Sequence, residues 1–161
     1  MPLVKSTLAN GLESVFNNNP SSVAEAAQKW AQAYVSYASA AMTSTGGSAV
    51  NAMAGLGTLT GAFTGALQAQ ASPASAGAMA AGVTAFWLSI IWAGPATGVT
   101  VSPGNAALAT ALAAVFSNLG KLSASEKANA IADAFDAGAK LVMVLDTIPG
   151  APPVVVTAPI Q

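Results

Sequence analysis

The sequence lacks cysteine and histidine, and because all five of its basic residues are lysines it lacks arginine as well. Without cysteine there is no disulfide framework and no thiolate metal site. Histidine, cysteine and arginine supply most general bases, nucleophiles and oxyanion-binding groups of enzymes. The sequence also contains neither a phosphate-binding glycine loop nor a G-x-S-x-G serine motif. It therefore predicts a protein that is not an enzyme and uses no cofactor, metal or small-molecule substrate.

Charge is scarce and unevenly distributed. Charged residues make up 7% of the chain, against about 25% in an average soluble domain. No basic patch is present to bind phosphates, so we expect no nucleic-acid partner. Residues 30–120, 91 in a row, include no charged side chain. Since a soluble monomer normally carries charges over its surface, this region is expected to be covered by neighbouring subunits or by lipid.

Apolar spacing and turn residues predict a single all-α domain of six helices over residues 1–148. The helices are expected near residues 2–17, 22–45, 48–70, 75–93, 105–120 and 123–145. Proline at position 2 suits a first helical turn. The spacing of Ser22 with Glu25, and of Ser123 with Glu126, predicts capping boxes at the second and sixth helices. Residues 94–104 are expected to form a loop with a short extended piece in its middle.

Two predictions concern the direction in which helix residues face. On the third helix, Val50 and Met53 are expected to face inward. On the sixth, Asp133 and Asp136 lie three residues apart, with Glu126 two turns earlier, and these carboxylates could form half of a metal or acid–base site. We favour a solvated polar face for them, because lysines occupy neighbouring positions.

The C-terminal segment, residues 149–161, contains four prolines and cannot continue a helix. Val154, Val155 and Val156 within it predict a strand or an extended arm. These valines and Ile160 are too apolar for an idle tail. We therefore predict that the segment is an arm that docks on a neighbouring subunit, with these four residues in the interface.

Gly57, Gly61 and Gly65 form a tandem G-x-x-x-G-x-x-x-G pattern, which allows a second helix to approach closely. Threonines interleave the glycines and make a poor lipid-facing surface. The pattern therefore predicts tight packing in a water-soluble assembly, either within or between subunits.

A neutral stretch at residues 76–94 is 19 residues long, just enough to cross a bilayer of about 30 Å. It consists largely of alanine and glycine, and no lysine or arginine flanks it to anchor it at the headgroups. A buried central helix is the favoured interpretation. Phe86, Trp87 and Trp92 are then core or interface residues rather than a ligand cage.

Several local motifs resemble those of small structural proteins of tailed bacteriophages. They are Asn10-Gly11-Leu12 with Phe16, Pro20, AAQKWAQAY at residues 26–34, AFW at residues 85–87, and Ile131-Ala132 in a helix leading through Lys140 into the Pro/Val-rich tail. The resemblance extends over most of the chain. It implies a component of the neck, tail or baseplate, or a capsid decoration, located in the virion and assembled in the host cytoplasm.

The sequence therefore favours a structural subunit of a phage particle that packs against itself and other virion proteins. A membrane-active, holin-like hairpin formed by the third and fourth helices is the alternative, although a membrane partner is not favoured. A soluble binding module with an apolar groove is a third hypothesis.

Overall fold

The computed structural model of the protein describes residues 3–94, 96–101, 105–150 and 152–161. Within them are the helices α1 (Lys5–Asn17), α2 (Val23–Ala38), α3 (Leu56–Gln68), α4 (Pro73–Ser89), α5 (Asn105–Phe116) and α6 (Ala124–Ala139). The strands are β1 (Ser48–Ala49), β2 (Trp92–Ala93), β3 (Ala96–Val101), β4 (Met143–Ile148) and β5 (Val154–Pro159). Short 3-10 turns occur at Ala52–Gly55 and Leu119–Lys121. The chain is mostly helical, as expected.

The helices form a closed ring around one core. Each helix packs against the next along the chain, and α6 also packs against α1. Tyr34 of α2 lies inside the ring, with the rings of Phe86, Trp87 and Phe135 centred within 6.3 Å of its own. All four side chains are completely buried, and aromatic pairs at such distances add to the free energy gained by burial. The prediction that Phe86 and Trp87 belong to the core is confirmed.

The two predicted capping boxes differ in detail. At α6, the Ser123 hydroxyl accepts from the backbone N–H of Glu126, and the Glu126 carboxylate accepts from that of Ser123, so this box is complete. At α2, the hydroxyl of Ser22 accepts from the N–H of Glu25 at 3.1 Å. The Glu25 carboxylate accepts instead from the N–H and hydroxyl of Ser21. The serine cap is confirmed at both helices, and the reciprocal bond only at α6.

The prediction of an all-α domain is confirmed only in part: the chain is mainly helical, but two small antiparallel sheets are also present. Strands β1 and β2 pair with each other, and β3, β4 and β5 form a sheet in that order. The first three residues of β4, 143–145, were expected to continue the last helix. That helix ends at Ala139, and Val144 and Asp146 of the following strand are buried while their neighbours are more exposed. This alternation is the pattern of a half-buried strand.

The second and third helices are also shorter than predicted. α2 ends at Ala38, since Met42 leaves the helix to exchange backbone hydrogen bonds with Gln161 at 2.8 and 3.4 Å. Residues 48–55 form β1 and a 3-10 turn, so Val50 and Met53 do not lie on a helix facing inward and are 57% and 65% exposed. The extended piece expected within residues 94–104 is confirmed as β3. Position 2 and positions 95 and 102–104 lie outside the described residues.

The C-terminal segment is part of the fold of its own chain. Strand β5 pairs with β4 over its full length, from Ile148 opposite Val154 to Met143 opposite Pro159. Beyond the strand, Ile160 forms a bridge to Thr43 and is 2% exposed. The boundary expected between residues 148 and 149 therefore falls in the turn of a β-hairpin.

Candidate interaction surface

The ring of helices divides into a charged side and an uncharged side. The charged side chains lie on α1, the first half of α2, α6 with the turn before it, and β4. Helices α1, α2 and α6 are neighbours in the ring, and so are the three remaining helices. Helices α3, α4 and α5 carry no charge, so one side of the molecule is neutral.

On the charged side, three lysines form ion pairs with acidic residues. Lys5 contacts Asp133 at 2.5 Å, which joins α1 to α6, and Lys140 contacts Asp136 at 2.7 Å. The hydrogen bond with Asp133 raises the pKa of Lys5 above its usual value. Asp136 is only 7% exposed, so the prediction that it belongs to a solvated face is wrong. Its Oδ1 accepts a hydrogen bond from the hydroxyl of Tyr37 at 2.7 Å, which binds α6 to α2.

The acidic residues of α6 do not form a metal site. Asp133 points to Lys5, Asp136 to Tyr37 and Lys140, and Glu126 caps its own helix. Across the described ranges, no three histidine, cysteine, aspartate or glutamate side chains lie close enough together to hold a metal ion. These carboxylates therefore have structural partners.

The outer face of α4 carries apolar residues at regular intervals, four alanines and a leucine. Ala74, Ala78, Ala81, Ala85 and Leu88 are all exposed, and they are spaced alternately by four and three residues. This is the spacing of a seam along which a second helix packs. Within its own chain, α4 uses its opposite face to pack against α3 and α5.

The three glycines of the G-x-x-x-G-x-x-x-G pattern lie on the outside of α3. Gly57, Gly61 and Gly65 are exposed, and a Cβ added at each would meet no atom within 4 Å. The prediction that this stripe packs within its own chain is therefore wrong. Its packing against another chain stays a prediction. The close approach of α3 to α4 occurs instead at Gly82, where an added Cβ would overlap the Cβ of Ala62.

Large apolar side chains are exposed at one end of the neutral side. We call Val50, Met53, Leu88 and Ile91 the end patch; they are 57%, 65%, 56% and 60% exposed. The backbone N–H of Val50 donates to the carbonyl of Ile91 at 3.0 Å, and that of Ile91 donates to the side chain of Asn51 at 2.6 Å. These residues are exposed on a hydrogen-bonded backbone, so their exposure is a property of the fold.

The predicted interface residues of the C-terminal segment are divided between surface and core. Val154 and Val155 are 55% and 60% exposed, and Val156 is half-buried. Ile160 packs in the core of its own subunit. Three of the four residues are therefore accessible to a partner.

Asp146 is a buried carboxylate that the sequence analysis did not single out. It lies in β4 with no exposed surface, and its Oδ2 accepts a hydrogen bond from the hydroxyl of Thr43 at 2.8 Å. Its Oδ1 and the indole nitrogen of Trp92 have no hydrogen-bond partner among the described residues. Only the assignment of residues 143–148 to a strand, with its alternating burial, would have indicated that this position faces inward.

Two clefts flank the contact between α1 and α2. They measure about 260 and 200 Å³, and the larger includes Lys29. Ligand pockets usually measure about 300–1,000 Å³, and we assign no ligand to either cleft. No helix in the described part of the chain has both the length and the apolar character needed to cross a bilayer.

Comparison with known proteins gives no match to any family description, curated protein or solved structure.

Proposed function

We propose that this chain is a structural subunit of a large protein assembly and that it acts through packing against other subunits. We further propose that the assembly is the virion of a tailed phage, in its neck, tail or baseplate. The phage assignment rests on the local motifs, such as AAQKWAQAY at residues 26–34. Its partners are then copies of itself and other virion proteins, brought together in the host cytoplasm.

The observation that carries the proposal is the neutral side of the helical ring. An interface made of α3, α4 and α5 would bury no charge, so its formation would avoid the cost of desolvating ions. Burying the end patch would add roughly 25 cal/mol for each Å² of apolar surface removed from water. Permanent interfaces between subunits are more apolar than ordinary protein surface, and this side of the molecule has that composition.

A matched pair of charge substitutions tests the proposal. Ala81 on α4 and Ala137 on α6 are both exposed helical alanines, the first on the neutral side and the second on the charged side. We expect Ala81→Lys to weaken self-association or incorporation into particles by at least about tenfold, because an unpaired charge would become buried. Ala137→Lys should leave assembly unchanged.

Circular dichroism on both variants shows whether the subunit stays folded. Equal effects of the two substitutions on assembly, or no effect of either, would refute an interface on the neutral side.

A further inference from the structure

The outer edge of β5 can be read from its hydrogen bonds. In an antiparallel strand the N–H and C=O of one residue point to the same side, and successive residues point to opposite sides. The N–H of Ile160 donates toward β4, to the carbonyl of Val142 at 3.4 Å. Pro159 and Gln161 face the other way, toward residues 42–44: the carbonyl of Pro159 accepts from Ser44 at 3.3 Å. Odd-numbered residues of this strand therefore present their backbone groups to the side away from β4.

Only the last part of that edge is covered. Met42 bonds to Gln161, and Ser44 to Pro159, but the chain then turns away through a bond from the N–H of Thr43 to the carbonyl of Gly47 at 2.7 Å. Farther along the edge, the backbone N–H and C=O groups of Val155 and Thr157 also point away from β4. In the part of the chain that the structure describes, no other segment pairs with them.

The open part of the edge lacks the devices that usually prevent strands from pairing. Exposed edges are commonly protected by charged side chains, bulges or an intervening proline. Residues 147–161 include no charged side chain, and β5 pairs with β4 without a register shift. The four prolines of this segment lie at positions 149, 152, 153 and 159, outside the run from Val154 to Thr157. Val154 and Val155 are more than half exposed on this run.

We propose that β5 pairs in antiparallel orientation with β5 of a second copy of this chain, about a two-fold axis beside Val156. Val155 would then lie opposite Thr157 of the second copy, and Thr157 opposite its Val155. Each of these pairs would exchange two backbone hydrogen bonds. The three-stranded sheet would continue across both subunits.

A second copy of this chain is the expected partner of the open edge of β5, because the backbone donors and acceptors of that edge are complementary to those of an identical edge. Its two outward-facing residues are placed symmetrically about Val156, so a two-fold axis there matches every donor to an acceptor. The run is bounded by prolines in both copies, which limits pairing to the same short stretch. The exposed Val154 and Val155 would lie opposite the equally uncharged Ala158 and Thr157 of the other copy, so no charged side chain is buried.

This inference deepens the proposed function and rests on it. A pair of such short strands buries less than the roughly 1,200 Å² typical of a stable interface. The strand pairing would therefore contribute to an assembly that other contacts, on the neutral side, also hold together.

A proline substitution on the open edge, with a matched control, tests the proposal. The N–H of Thr157 does not bond to β4, so Thr157→Pro removes an outward donor and is compatible with an edge strand. We expect it to weaken self-association about tenfold or more. Thr157→Val keeps the backbone N–H and the β-branched shape, and should associate as the unchanged protein does.

Amide hydrogen exchange on the unchanged protein gives a second measurement that does not depend on how the variant folds. The amides of Val155 and Thr157 should exchange at least about tenfold more slowly in concentrated, associated protein than in dilute protein. Fast exchange of both amides in associated protein would overturn the strand pairing and leave the proposed function standing. A chain that is monomeric at every concentration would overturn both. Protection that appears only with another virion protein would assign the edge to that protein and overturn the second copy.

Discussion

Trp87 donates its indole N–H to the hydroxyl of Tyr34 at 2.8 Å, and both side chains are completely buried. The bond connects α4 to α2 through the centre of the helical ring. Tyr34→Phe would leave the indole N–H without an acceptor in the core, which costs about 1–3 kcal/mol of unfolding free energy. Urea denaturation followed by circular dichroism measures this loss. A loss below about 0.5 kcal/mol would show that the bond does not matter for stability.

The raised pKa values of the two tyrosines predict that the folded state loses stability at alkaline pH. Burial raises the pKa of Tyr34 and of Tyr37 far above the ordinary value of 10.0, and Asp136 raises that of Tyr37 further. The unfolded chain therefore loses these protons first, so stability is complete below about pH 10 and falls as the pH rises beyond it. Phenolate absorbance should appear together with the loss of helical circular dichroism. Titration of either tyrosine in the folded protein near pH 10 would contradict this.

Two glycine-to-alanine substitutions should have opposite effects on the isolated subunit. Gly82→Ala would force α3 away from α4 at Ala62, at a cost of about 1–3 kcal/mol. Gly61→Ala on the open face should stabilise the subunit by up to about 1 kcal/mol, through its higher helix propensity. Thermal unfolding under monomeric conditions compares them. Equal shifts of the melting temperature would mean that α3 and α4 pack differently.

The C-terminal hairpin offers another matched pair. Ile160 is 2% exposed and packs in the core, whereas Val154 is 55% exposed on the edge strand. Ile160→Ala should cost about 2–5 kcal/mol of unfolding free energy. Val154→Ala should change it by no more than about 0.5 kcal/mol in the monomer. A small effect of Ile160→Ala in chemical denaturation would mean that the tail does not anchor its own subunit.

The helices could be predicted from the sequence where large apolar residues contrast with polar ones. On α6, Ile131 and Phe135 recur at helical spacing after a complete capping box, and both are buried as expected. The same spacing misled at the end of that helix. Val142 and Leu145 continue its period, although residues 143–148 form a strand. The strand there pairs with β3, which lies far away along the chain, and with β5, which follows it in a hairpin.

The inner and outer faces of the helices on the neutral side are harder to predict from the sequence, because the residues there are nearly all small. On α3 and α4, alanine and glycine occur on inner and outer faces alike, so periodicity separates the faces only at residues such as Phe63 and Phe86. The glycines of the repeated pattern lie on the open side, while Gly82, which has no such pattern, lies at the close contact. Which small residue faces a neighbour depends on the tertiary arrangement of the helices.

The mass of the native protein in solution, measured by sedimentation equilibrium over a wide concentration range, tests the central claim most directly. Because the neutral side and the end patch leave apolar surface in water, we predict a multimer, or a complex with other virion proteins when these are present. A single species with the monomer mass of 15.7 kDa, stable at high concentration with and without those proteins, would contradict the assignment of this chain as an assembly subunit.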